Sequence, residues 1–167
     1  MMTHNLRMTS AAEGDVVVFL IGMRVNRWWK PWQWLRTALA MPRMLRELAA
    51  RPELGLLSSE AWFGRTTIMV SYWKSLDHLL AYAKLRGAEH LPAWRAFNKL
   101  VALNGDVGIW HETYRVPAGS FETVYLNMPA FGLGKATGLR EARGAHLTAA
   151  GRLGRPDAAP VDLAAGN

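Results

Sequence analysis

The sequence predicts an α+β domain built as a ferredoxin-like antiparallel sheet with helices on one face. Two observations lead there. Apolar segments with strand character alternate with amphipathic helical segments in the order β-α-β-β-α-(α)-β, the split βαβ arrangement. The strand segments are also apolar at both parities, so each face of the sheet needs cover, and a second subunit is the expected cover for the face without helices.

Each element has a local reason. Asp15 to Val25 carries the run VVVFLIGM and reads as a buried strand. Asn26 to Lys30 connects it to a helix with Pro31 in its first turn, where a missing N–H costs nothing. Trp34, Ala38, Met41, Leu45 and Leu48 recur at helical spacing and predict the inner face. Arg36, Arg43, Arg46 and Glu47 fall opposite, and Pro42 predicts a kink or break. Leu56 to Phe63 and Thr66 to Trp73 predict strands joined at Gly64-Arg65. Ser75 is the expected N-cap of the next helix, with Leu76, Leu79, Leu80 and Ala83 on its inner face. Pro92 opens a third helical stretch with Trp94, Phe97 and Val101, stopped at Asn104-Gly105. Val107 to Val116 is the last long strand, and Phe121 to Leu126 is expected as a short one. Residues 1–14 read as a disordered leader, 15–131 as the ferredoxin-like domain, and 132–167, rich in Gly, Ala and Arg, as a mostly irregular tail.

Composition excludes several chemistries. The 167 residues include no cysteine, which removes disulfides, thiolate catalysis and Cys-based metal clusters. The N-terminus lacks the apolar core of a signal peptide, and no apolar run approaches the roughly 20 residues that span a bilayer, so the expected location is the cytoplasm. The net charge is +7, and the window Arg24–Arg51 holds seven basic residues against Glu47 alone, a net +6. Such a patch suits a solvated helix face, an anionic ligand or an acidic surface.

Motif searches narrow the rest. His111 and Glu112 are strand neighbours, so they point to opposite faces and do not ligate one ion. The zinc pattern H-E-x-x-H fails at Arg115. No G-x-S-x-G elbow marks a serine nucleophile, and Gly132-Leu133-Gly134-Lys135 lacks the phosphate-loop spacing. Apart from a haem iron, no metal site is expected. Asn26 to Trp34 holds four of the eight tryptophans. It reads as the start of a helix packing on its own sheet, the wall of a flat apolar pocket rimmed by arginines, or a segment at a membrane surface, the last being the least favoured. Nucleic acid is not an expected partner, since base stacking uses aromatics on an open sheet face. Ile109, His111 and Thr113 share one strand face. A lone histidine there is a hydrogen-bonded structural residue or an axial haem ligand.

Five segments carry a resemblance: Trp28-Trp29-Lys30-Pro31-Trp32, Trp62-Phe63-Gly64-Arg65-Thr66-Thr67, Tyr72-Trp73-Lys74-Ser75, His90-Leu91-Pro92-Ala93-Trp94 and Trp110-His111-Glu112-Thr113-Tyr114. With them the chain resembles the dimeric α/β-barrel superfamily of small haem-dependent and cofactor-free monooxygenases, most closely a bacterial "monooxygenase family" group, over Val16 to Leu139. More distantly, Tyr72 to Gly138 resembles the haem-containing aldoxime dehydratases through His111-Glu112, Phe121-Glu122 and Asn127-Met128-Pro129. That resemblance implies haem as cofactor with His111 as proximal ligand. No histidine lies between Asn127 and Pro129, so the distal acid–base group of a dehydratase is missing. The resemblances together imply a homodimeric, monooxygenase-like enzyme acting on a small molecule. Arg24 or Arg27 would pair with haem propionates or an anionic substrate, Trp28, Trp32, Ile109 and Thr113 would line the pocket, and Glu112 would serve the dimer interface. A haem lyase, a cofactor-free oxygenase and a non-catalytic ligand-binding protein are the alternatives. The substrate and the catalytic residues themselves stay open.

Overall fold

The computed structural model describes residues 5–85 and 105–156. The helical stretch expected from Pro92 to Val101 lies outside them. The chain divides into two units, Asp15–Val116 and Met1–Gly14 with Pro117–Asn167.

The first unit contains strand β2 (Val16–Val25), helices α1 (Pro31–Ala38) and α2 (Ala40–Ala50), a 3-10 turn (Pro52–Leu54), strands β3 (Leu56–Trp62) and β4 (Ile68–Trp73), helix α3 (Leu76–Lys84) and strand β5 (Val107–Val116). The four strands form an antiparallel sheet in the order β3-β4-β2-β5, the ferredoxin-like order the sequence predicts. β2 is central and pairs with β5 along all ten residues, from Val16↔Val116 to Val25↔Val107.

Register decides which side chains share a face, because opposed residues project the same way. Val17, Phe19, Ile21, Met23 and Val25 of β2 lie with Met69, Ser71 and Trp73 of β4 and with Val107, Ile109, His111 and Thr113 of β5. The described helices of this unit pack on that face. One cluster joins Val17, Met69 and Trp73 to Met44, Leu48, Leu79 and Tyr82. A second joins Met23, Val25 and Val107 to Trp34, Ala38 and Ile109. Burying a side chain such as Leu48 stabilises the fold by about 1.5–3 kcal/mol.

The helix break falls at Leu39, three residues before Pro42. Pro42 has no N–H to donate to Ala38, so α1 ends and Pro42 is accommodated in the first turn of α2. Ser75 caps α3, accepting from the His78 N–H at 3.3 Å. Leu79 and Tyr82 form the buried face of α3, while Leu80 and Ala83, expected inside, are exposed. Glu47 is not on a solvated face: it accepts from the Tyr82 hydroxyl at 3.1 Å and pairs with Arg51 at 3.4 Å.

The second unit revises the expectation of a disordered leader and an irregular tail. Strand β1 (Met8–Ser10) pairs antiparallel with β6 (Leu139–Glu141), and helix α4 (Gly132–Thr137) precedes β6. A 3-10 turn (Gly144–Leu147) and helix α5 (Ala149–Arg152) follow. The expected strand Phe121–Leu126 reduces to one bridge, in which Met8 and Tyr125 exchange backbone hydrogen bonds of 2.8 and 2.9 Å. The Tyr125 hydroxyl accepts from the Gly134 N–H at 2.9 Å, and Arg152 bonds Glu122 at 2.7 Å.

Candidate functional site

The site is built on the pair β2–β5. His111 opposes Ile21 and lies on the helix-bearing face, with Glu112 on the other, as strand parity requires. Its ring centroid is 5.8 Å from that of Phe19, with the planes tilted by 43°. His111 is exposed, and its imidazole makes no hydrogen bond among the described residues. Ile109 is half-buried in the second apolar cluster, and Thr113 is exposed beyond His111. His111 thus shares its sheet face with the apolar side chains Phe19, Ile21 and Ile109. It can accept a proton or a metal bond through one nitrogen.

The two arginines do not join it. Arg24 belongs to the opposite face, across from Gly108, and its guanidinium donates to Thr66 Oγ1 at 3.0 Å. Arg27 and Lys30 are held by Asp106, whose side chain is 1% exposed. Arg27 Nη1 lies 2.6 Å from one carboxylate oxygen and Lys30 Nζ 3.0 Å from the other. The Asp106 carbonyl also accepts from the N–H groups of Asn26 and Arg27, at 3.0 and 3.2 Å. Hydrogen bonding from Lys30, with Arg27 adding to it against the opposing effect of burial, holds the Asp106 carboxyl below the usual carboxylate range. This staple fixes the turn between β2 and α1 to the start of β5.

Trp28 and Trp32 are 72% and 64% exposed. Trp34 is the tryptophan of this segment that packs inward.

The opposite face of the sheet carries Val18, Leu20, Val70, Tyr72, Trp110, Glu112 and Tyr114. The Tyr114 hydroxyl donates to Glu112 Oε2 at 2.6 Å, and that bond, with the carboxylate charge, pushes the phenol above its usual value. Trp110 Nε1 is buried without an acceptor among the described residues. Its ring closes on Gly22, where a Cβ would lie 2.7 Å from Nε1 and 2.0 Å from the Thr67 carbonyl oxygen.

Ser71 of β4 is fully buried, donates to the Phe19 carbonyl at 2.9 Å and accepts from Trp73 Nε1 at 3.0 Å. Its role is to satisfy the core. Among the described residues no group of three or more His, Asp or Glu side chains is placed to hold a metal ion.

Sequence reasoning missed Asp106 and Phe19. A lone acid following Asn104-Gly105 was a visible signal for the first, but its basic partners lie 76 and 79 residues earlier. For Phe19 the register was needed.

The family described as Monooxygenase af470-like matches residues 16–133, which include the whole four-stranded sheet. Monooxygenase af470 from Aspergillus fumigatus is 30% identical over 143 residues, covering 74% of this chain and 46% of its own length. The chain thus spans less than half of that relative. No solved structure matches. The match covers well over half of the chain, and the chain belongs to the Monooxygenase af470-like family.

Proposed function

We propose that this protein is a monooxygenase-like enzyme for an apolar small molecule, with its reacting site at His111 on the helix-bearing face of β2 and β5. One observation carries the reading. The imidazole lies beside the Phe19 ring without a hydrogen-bond partner among the described residues, in a family with a relative that bears the name monooxygenase. An imidazole can carry a proton on one nitrogen and accept one on the other, which suits proton transfer.

The chemistry balances without an outside reductant when the substrate is an activated aromatic methylene. His111 takes a proton from carbon, and the carbanion gives its electrons to oxygen. A carbon–oxygen bond forms, the oxygen–oxygen bond breaks, and the methylene ends as a carbonyl with release of water. Phe19, Ile21 and Ile109 supply the apolar surface on which such a ring system rests.

Haem is a second reading resting on His111 alone. The imidazole has the donor chemistry of an axial ligand, and bound haem would supply oxygen activation. The propionate partners do not assemble with it: Arg24 is on the other face and Arg27 is engaged by Asp106. The absorption spectrum of protein produced with excess haem separates the readings. A Soret band lost in His111→Ala supports haem. Colourless protein that consumes oxygen with an activated aromatic methylene compound, and stops doing so as His111→Ala, supports the cofactor-free reading. Oxygen uptake unchanged in His111→Ala overturns the site.

The active form we propose is a homodimer through the sheet face that bears Val18, Leu20, Val70, Tyr72 and Tyr114. No described helix of its own unit packs on that face.

A further inference from the structure

Helix α1 is apolar on two sides. Trp34 and Ala38 turn to the sheet and pack with Met23, Val25 and Val107. Trp32 and Leu35 lie on the other side. With Trp28, in the turn that leads into α1, and Leu39, at its end, they form a row at spacings of four, three and four residues. Such spacing lines one side of a helix. All four are exposed, at 72% for Trp28, 64% for Trp32, 45% for Leu35 and 51% for Leu39. Trp29, also exposed, meets Trp28 edge-on with ring centroids 6.1 Å apart. Apolar side chains on two sides of α1 call for apolar cover on both, and only Trp34 and Ala38 find it within their own unit.

The charge around this row has one sign. Arg43 and Arg46 are exposed, and the segment Arg24–Arg51 has a net charge of +6. Setting the Asp106 carboxylate against it still leaves an excess of five positive charges. Tryptophan and leucine on one side of a helix, bordered by arginine, is the composition that lies in the headgroup region of an acidic bilayer: the indoles sit at the interface, and the guanidinium groups meet lipid phosphates. At eight residues α1 is about 12 Å long, so it lies on such a surface rather than crossing it.

We propose that the row Trp28–Trp32–Leu35–Leu39 docks this protein on an anionic lipid surface. The test is co-sedimentation of the full chain with vesicles of phosphatidylcholine alone and of equimolar phosphatidylcholine and phosphatidylglycerol, at low and high salt. The protein pellets with the acidic vesicles, stays in the supernatant with the neutral ones, and binds less as salt screens the arginines. Trp32→Ser/Leu35→Ser weakens binding roughly tenfold or more, the scale expected for removing two interfacial apolar side chains. Its circular dichroism and its mass by light scattering stay as in the wild type. Arg43→Glu/Arg46→Glu weakens binding to the acidic vesicles as well. Wild-type protein left in the supernatant, equal binding to both compositions, or a change of oligomeric mass in the apolar double variant overturns the proposal. The last outcome would mark the row as a protein–protein surface.

Discussion

Asp106 shows how one residue organises a segment. Its buried carboxylate holds Arg27 and Lys30, and its carbonyl holds the N–H groups of Asn26 and Arg27. The lowered carboxyl pKa makes this a pH-dependent contribution. A depressed folded value stabilises the native state fully above the unfolded carboxylate value of about 4, and the contribution is lost as pH falls through the lowered folded value. Asp106→Asn is therefore expected to lower the midpoint of urea unfolding at pH 7 and to flatten its fall as pH drops below about 4. Equal acid sensitivity in variant and wild type would show that the pair contributes nothing to folding. The same residue marks a limit of sequence reading. That His111 and Glu112 lie on opposite faces was legible from parity, whereas the engagement of Arg27 depends on a partner 79 residues away and required the fold. Charge density identified the basic segment but not which of its cations were already paired.

Among the elements, the long strands and capped helices were legible because their signals are local. Val107–Val116 and the Ser75 cap follow from apolar runs and a hydroxyl at the right place. Ser75→Ala is expected to cost about 1 kcal/mol in chemical denaturation, since the His78 N–H loses its acceptor. The elements of the second unit were not legible. Strands of three residues carry too little periodicity to detect, and β1 and β6 are distant in sequence. Close approach between strands was equally hidden. Gly22 reads as one residue of an apolar run, yet Trp110 and the Thr67 carbonyl fill the space a side chain would take. Gly22→Ala is expected to destabilise the protein by about 1–3 kcal/mol, as overpacking does, measured by urea unfolding. An unchanged midpoint would mean that β2 and Trp110 separate at little cost.

For the whole molecule, the sheet order β3-β4-β2-β5 presents two surfaces of different composition. Helices pack on the face that carries His111, and the other face carries Val18, Leu20, Val70, Tyr72 and Tyr114. Light scattering at micromolar concentration is expected to give twice the monomer mass of 18.6 kDa. Tyr114→Asp, which adds a charge to that face, is expected to shift the protein toward monomer. A wild-type monomer would remove the proposed interface. The reading of His111 as the centre of an oxygen-dependent reaction is tested most directly by isotope incorporation. Wild-type protein and His111→Ala are each supplied with doubly labelled oxygen and an activated aromatic methylene compound, and the product is analysed by mass spectrometry. The account predicts one labelled oxygen atom in the product carbonyl and one in water for the wild type, with no labelled product above the uncatalysed background for His111→Ala. Labelled product formed equally by both proteins, or none formed by the wild type, would contradict it.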